Sequence, residues 1–252
     1  MAILIAQRRL GLGALRQGPF VKVGGYVTQH ELVPLPKSRL VTAFRKAHQV
    51  LTHMRAMLIA ADQIPVSVEN LLWTVSDYYN IPIEIIELPE IPEIKTARSL
   101  LARLEDPPRA AILLVPDNLD HERFAAIKEL SHIIIDERED WSTDVPQTIN
   151  DILHHVEFSI AVNSEGADEC DAPRASLQSE ALATLVCIEL LYPFELRIQD
   201  AEDLRDGKAS ISSLAEYYRL PQAIVERALH TDNLSRAGAA WIDVGVLTKP
   251  LL

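Results

Sequence analysis

The sequence predicts an α+β fold, a small sheet on one side with packed helices on the other and more helices at the C-terminus. Two short apolar runs bounded by proline read as strands, longer segments repeat apolar residues at three-to-four spacing, and 48% of the 252 residues are hydrophobic. That hydrophobic content excludes a disordered chain, and only 9 Gly excludes a collagen-like one. The longest apolar runs, 2–6, 57–61 and 110–115, fall far short of the roughly 20 residues that cross a bilayer.

Taken in order, residues 11–36 are punctuated by Gly and Pro and read as loops or short strands, such as Phe20 to Val27. A helix is expected from Ser38 as N-cap, because Leu40, Val41, Phe44, Ala47, Val50, Leu51, Met54 and Leu58 recur at helical spacing. Ser67 then caps a second helix with Val68, Leu71, Leu72 and Val75 as its buried stripe, and Asn80-Ile81-Pro82 ends it. Ile83 to Leu88 and Ala110 to Val115 are the two strands, and Lys95 to Leu104 between them reads as a short helix. Asp120 is the expected cap of a helix running through Phe124, Ile127, Leu130, Ile133 and Ile134. Residues 137–175 are acidic and expected to be loop-rich apart from His155 to Val162. Helices follow at Ser176 to Tyr192, Ser212 to Tyr218 and Pro221 to His230.

Charge divides the chain unevenly. Residues 1–61 carry nine Lys or Arg against one acid and are +8, whereas the remainder is −20. Such a basic piece meets either an anionic partner or the acidic body of its own protein. On the first helix the cations Arg39, Arg45, Lys46 and Arg55 read as a solvated face in preference to a DNA surface, since no nucleic-acid-reading motif accompanies them. Two cysteines, Cys170 and Cys187, cannot build a disulfide framework, and the first residues lack the order of an export signal, so a cytoplasmic protein with packing cysteines is expected.

The chemistry concentrates in Arg123-Phe124-Ala125-Ala126-Ile127-Lys128-Glu129-Leu130-Ser131-His132. On a helix, residues 128 and 132 lie one turn apart on one face with Glu129 beside them. This is the layout of H-E-x-x-H, in which two imidazoles hold zinc and the Glu activates bound water, with Lys128 in place of the first histidine. A later segment, Glu180 to Pro193, places Glu180, Ala183, Leu190, Leu191 and Pro193 on a second pattern, E-x-x-A-N-x-F-A-x-x-L-L-x-P. Together with Ile64-Pro65-Val66-Ser67-Val68-Glu69, which looks like a P-V-D-V-E helix start, these segments resemble the ImmA/IrrE family of zincin-like metallopeptidases over residues 60–230.

The resemblance implies a zincin-like domain at 62–196, preceded by a basic segment at 1–61 and followed by a helical segment at 197–252. Carried across, it makes His132 and Glu180 metal ligands and Glu129 the general base, with Lys128 at the missing ligand position and Thr184, Val186 and Cys187 replacing Asn, Phe and Ala. An ammonium has no lone pair for a cation, so the expected arrangement sets Lys128 between Glu129 and Glu180 as a zinc-replacing charge, with no cofactor. The alternative is an active zinc metalloendopeptidase that recruits His154 or His155 as the third ligand, His121 lying two turns too early on its helix. The family acts on DNA-binding repressors or antitoxins, so a protein partner of that kind is implied. Ser213 to Leu229 has a helix-turn-helix cadence, but Asp200, Glu202, Asp203, Asp206, Glu216 and Glu226 surround it, which favours a packing module over DNA binding.

Overall fold

A computed structural model describes residues 35–57, 64–87, 99–105, 108–137 and 172–247. Its elements are α1 (Lys37–Ala56), α2 (Val68–Tyr79), β1 (Ile83–Glu87), β2 (Ser99–Glu105), β3 (Pro108–Leu114), α3 (Leu119–Ile135), α4 (Ala172–Leu191), α5 (Phe194–Arg205), α6 (Ile211–Tyr218), α7 (Gln222–Leu229) and α8 (Thr231–Val244). The fold is α+β, with eight helices and one three-stranded mixed sheet among the described residues. The expected strand at Phe20 to Val27, the stretch His155 to Val162, Cys170 and both His154 and His155 lie outside the described residues.

Sheet order is β1-β3-β2, β3 pairing parallel with β1 and antiparallel with β2. The second expected helix and both expected strands are present. Residues 99–105, however, form a strand where a helix was expected. Leu, Ala and Arg favour helices, but here pairing with β3 supplies the hydrogen bonds, and tertiary context overrides a weak propensity. The register sets Ser99 opposite Leu114, Leu101 opposite Ile112 and Arg103 opposite Ala110, so these residues share the sheet face that carries the main core.

Several helix starts differ from expectation: α4 begins at Ala172, four residues before Ser176, and α1 and α3 differ in their caps. α1 begins after Pro36, whose extended backbone leads into the first turn without a side-chain cap, so Ser38 lies inside the helix. α3 is capped by Asn118, whose side chain accepts from the backbone N–H groups of Asp120 and His121, leaving Asp120 in the first turn, where a carboxylate suits the helix dipole. Ser67 caps α2 as expected, accepting from Asn70 N–H at 3.3 Å, and Asn80 closes it in the left-handed region at φ 51°.

Helices α5 and α8 were not anticipated. Half of α5 is charged, and only Phe194 and Arg197 are fully buried, so its apolar stripe is weak. α8 is capped by His230, whose ring accepts from Asp232 N–H, a residue that reads as a helix end rather than a beginning. Both helices join the same core as α1, α3 and α4; Phe44 of α1 meets Trp241 of α8 edge-on at 5.1 Å between ring centres. The α6–α7 pair is buried there through Leu214, Ala215, Tyr218, Leu220, Val225, Ala228 and Leu229. The cations of α1 reach acceptors of their own chain: Lys37 lies 2.8 Å from Asp243, Arg39 donates to Gln178 at 3.0 Å, and Lys46 meets Glu137 and the Ile135 carbonyl. No helix among the described residues is long and apolar enough to cross a membrane.

Two polar clusters lock the C-terminal helices. The Tyr192 and Tyr218 hydroxyls both donate to Asp200 Oδ2 at 2.7 Å. Deeper, Glu189 of α4 takes a bond from Arg197 of α5 and another from Trp241 Nε1 at 3.1 Å, both Glu189 and Arg197 being 2% exposed. Removing one member of such a buried pair strands the other charge. Arg197→Met is therefore expected to lower unfolding free energy by about 3–5 kcal/mol, and Glu189→Leu with Arg197→Met to recover most of that loss. Urea denaturation of the three proteins reads the difference; a loss below about 1 kcal/mol for Arg197→Met would put the pair in the class of solvent-exposed ion pairs.

Candidate functional site

The site is built where α3 and α4 pack together beneath β2. Position is set by helical spacing: Lys128 and His132 are one turn apart on α3, Asp136 follows one turn later at its C-cap, and Ser179 and Glu180 lie on α4. The strand contributes Ser99 and Arg103 through its period-two alternation.

Glu180 is held from two sides. Lys128 Nζ lies 2.7 Å from its Oε2, and His132 Nε2 lies 3.1 Å from its Oε1. Neither His132 Nε2 nor Glu180 Oε2 has the geometry of a directed hydrogen bond, so charge holds these contacts. Lys128 also donates to Glu129 Oε1 at 3.3 Å, and the same oxygen accepts from Ser99 Oγ at 2.7 Å. The other nitrogen of His132, Nδ1, faces Asp136 Oδ2 at 3.1 Å and Ser179 Oγ at 3.0 Å, while Ser179 donates to Asp136 Oδ1. Arg103 closes the group, donating to the His132 carbonyl at 2.6 Å and to Asp136 at 3.2 Å.

Burial and charge act oppositely on these groups. Burial alone would lower the Lys128 pKa, but Glu129 and Glu180 outweigh it and raise it above the ordinary lysine value. For His132 burial is likewise overcome, chiefly by Glu180 with Asp136, and the pKa is pushed up to about 10. Burial would raise the Glu180 carboxyl, yet Lys128 and His132 hold it well below the usual carboxylate range. The centre at neutral pH is thus an ammonium and an imidazolium clasping a carboxylate.

This chemistry excludes roles that need lone pairs. A charged Lys128 cannot serve as a base or nucleophile, so its nearness to Ser99 through Glu129 makes no serine–lysine dyad. Glu129 is 4% exposed and engaged by both Ser99 and Lys128. A zinc centre of the kind the resemblance implies needs three protein ligands. Of the described residues His132 and Glu180 supply two, and the third position holds an ammonium. No group of three His, Cys, Asp or Glu among the described residues is placed to hold a metal ion. The described donors do not fit zinc. His121 is turned towards Asp117, at 3.0 Å, and Asn118 at the start of α3. Cys187 is buried with its thiol pKa raised by burial, its Sγ donating to the Phe124 carbonyl at 3.5 Å.

Four members of the site, Ser99, Arg103, Asp136 and Ser179, were not singled out from sequence. Asp136 had a signal in its four-residue spacing from His132, and Ser179 in its adjacency to Glu180. Ser99 and Arg103 had none while their segment read as helix.

The shifted groups set a stability window. His132 has a raised pKa, so its contribution is complete below the ordinary imidazole value of 6.5 and is lost as pH rises through about 10. Glu180 has a lowered one, so its contribution is complete above the ordinary 4.5 and is lost in acid. The urea midpoint is expected to fall between pH 6.5 and 10, and to fall less in His132→Gln; equal slopes in both proteins would show that His132 is not charged in the fold. No protein family model, curated protein or solved structure matches the chain, so the functional reading rests on these side chains.

Proposed function

We propose that the chain is a regulatory protein on a zincin-like scaffold, a catalytically impaired relative of the ImmA/IrrE metallopeptidases. It works in the cytoplasm by binding a DNA-binding repressor or antitoxin-like protein, which it does not cut. The observation that carries this reading is the Lys128 ammonium, 2.7 Å from Glu180 and 3.3 Å from Glu129 on the helix face where H-E-x-x-H would hold its metal. Hydrolysis by such a site depends on a Lewis acid to polarise the peptide carbonyl and to acidify water. A primary ammonium does neither with comparable strength, and it also engages the carboxylate that would accept the proton.

Binding is supported by the position of β2. It is an edge strand of the described sheet, and its side chains Ser99 and Arg103 are tied into the charged cluster. An extended segment of a partner can add to such an edge through backbone hydrogen bonds. The partner's direct contacts are then made beside the former reaction centre, without chemistry.

Peptides selected from a random display library on the immobilised full chain test both halves of this reading. The selected peptides are expected to stay intact by mass spectrometry after prolonged incubation with the protein and equimolar zinc. Cleavage that phenanthroline abolishes would instead establish the alternative, an active zinc metalloendopeptidase with a rearranged ligand set. Failure to enrich any peptide would count against a binding role.

A further inference from the structure

We infer that Lys128 is a tethered substitute for a divalent cation, and that the cluster around it is a latent metal centre closed by this one side chain. The inference rests on the reading above, whose chemistry it specifies at the same site.

The ligand geometry is retained although the metal-binding set is incomplete. Two donors of one tetrahedral zinc, each about 2.0–2.2 Å from it, stand about 3.4 Å apart. His132 Nε2 and Glu180 Oε1 are 3.1 Å apart. Among the described residues, His132 Nε2 and Glu180 Oε2 are also buried side-chain atoms with no directed hydrogen bond. The far side of the imidazole is fixed as a metal-bound histidine is fixed: Nδ1 faces a carboxylate, Asp136, which is itself held by Arg103 and Ser179. Such support orients Nε2 towards Glu180.

Lysine and metal exclude one another at this point. An ammonium nitrogen 2.7 Å from Glu180 occupies the volume that an ion about 2.0–2.2 Å from that carboxylate requires. It also carries a like charge, and the repulsion between a divalent ion and an ammonium at such range is steep away from bulk water. The cluster meanwhile sets three basic groups, Arg103, Lys128 and His132, among three acidic ones, Glu129, Asp136 and Glu180. Lys128 therefore completes the charge balance that a bound cation would otherwise supply. Replacing it by histidine removes the competing charge and adds the third donor at the spacing of a paired-histidine helix.

Cobalt(II) titration of the full chain, followed by visible absorption and by thermal melting, tests this. Lys128→His is expected to bind one cobalt per chain with the intense bands of a tetrahedral ion and to melt at higher temperature as metal is added. The wild type is expected to show neither change. Adding Asp136→Asn to Lys128→His is expected to weaken cobalt roughly 10–100-fold, the usual effect of losing the carboxylate behind a ligating histidine. Lys128→Cys, which offers a thiolate at the same position, serves as a second version if the histidine variant does not fold. Absence of stoichiometric cobalt in a folded variant, or equal binding by the wild type, overturns the inference. A negative cobalt result with intact display peptides removes the latent metal centre and leaves the binding role standing; cleavage by the wild type removes the binding role.

Discussion

One carboxylate, largely enclosed by its partners, organises the centre of this protein. Glu180 sits between an ammonium and an imidazolium contributed by the neighbouring helix, and each of the three would be costly to bury alone. Because both cations come from α3 and the anion from α4, the attraction acts across the most extensive helix contact among the described residues. It fixes the rotation of one helix against the other, and from that rotation follow the placement of Ser179 against His132 and the approach of β2. An apolar pair of the same size would hold the helices together without specifying which residues face each other.

Much of this was legible in the chain itself. The one-turn spacing of Lys128 and His132 needs only helical geometry, and the apolar period of α3 is plain. The meeting of Lys128 with Glu180 was implied by the family resemblance, which sets both at one metal position, together with their opposite charges. The strand at 99–105 was not legible, because Leu, Ala and Arg favour helices and the pairing that overrides them comes from β3, a partner that local spacing cannot see. That one misreading concealed Ser99 and Arg103 together. α5 escaped for a different reason: beyond Phe194 its one fully buried side chain is Arg197, and an arginine signals burial only when the carboxylate waiting for it is known.

The basic face of α1 shows how net charge and partner choice separate. Its cations read as a solvated face in preference to a DNA surface, yet Lys37, Arg39 and Lys46 find acceptors on α8, on α4 and after α3. The helix that carries them buries Phe44, Ala47, Val50 and Met54 in the common core, so it is anchored by apolar contact and oriented by charge. An uneven charge distribution along a chain can thus be a folding instruction, matching one part of a protein to another.

Helix α4 bears two ion-paired acids, half-buried Glu180 and buried Glu189, nine residues apart. At 1.5 Å and 100° per residue they stand about 13.5 Å apart along the axis and on opposite sides of it. Each is gripped by a base from a different neighbour, Lys128 on one flank and Arg197 on the other. A rod keyed at two depths on opposing sides can neither screw nor slide without releasing both keys, and a turn that eases one misaligns the other. Motion in this protein is therefore expected to travel around α4, with the helix itself as the fixed axle.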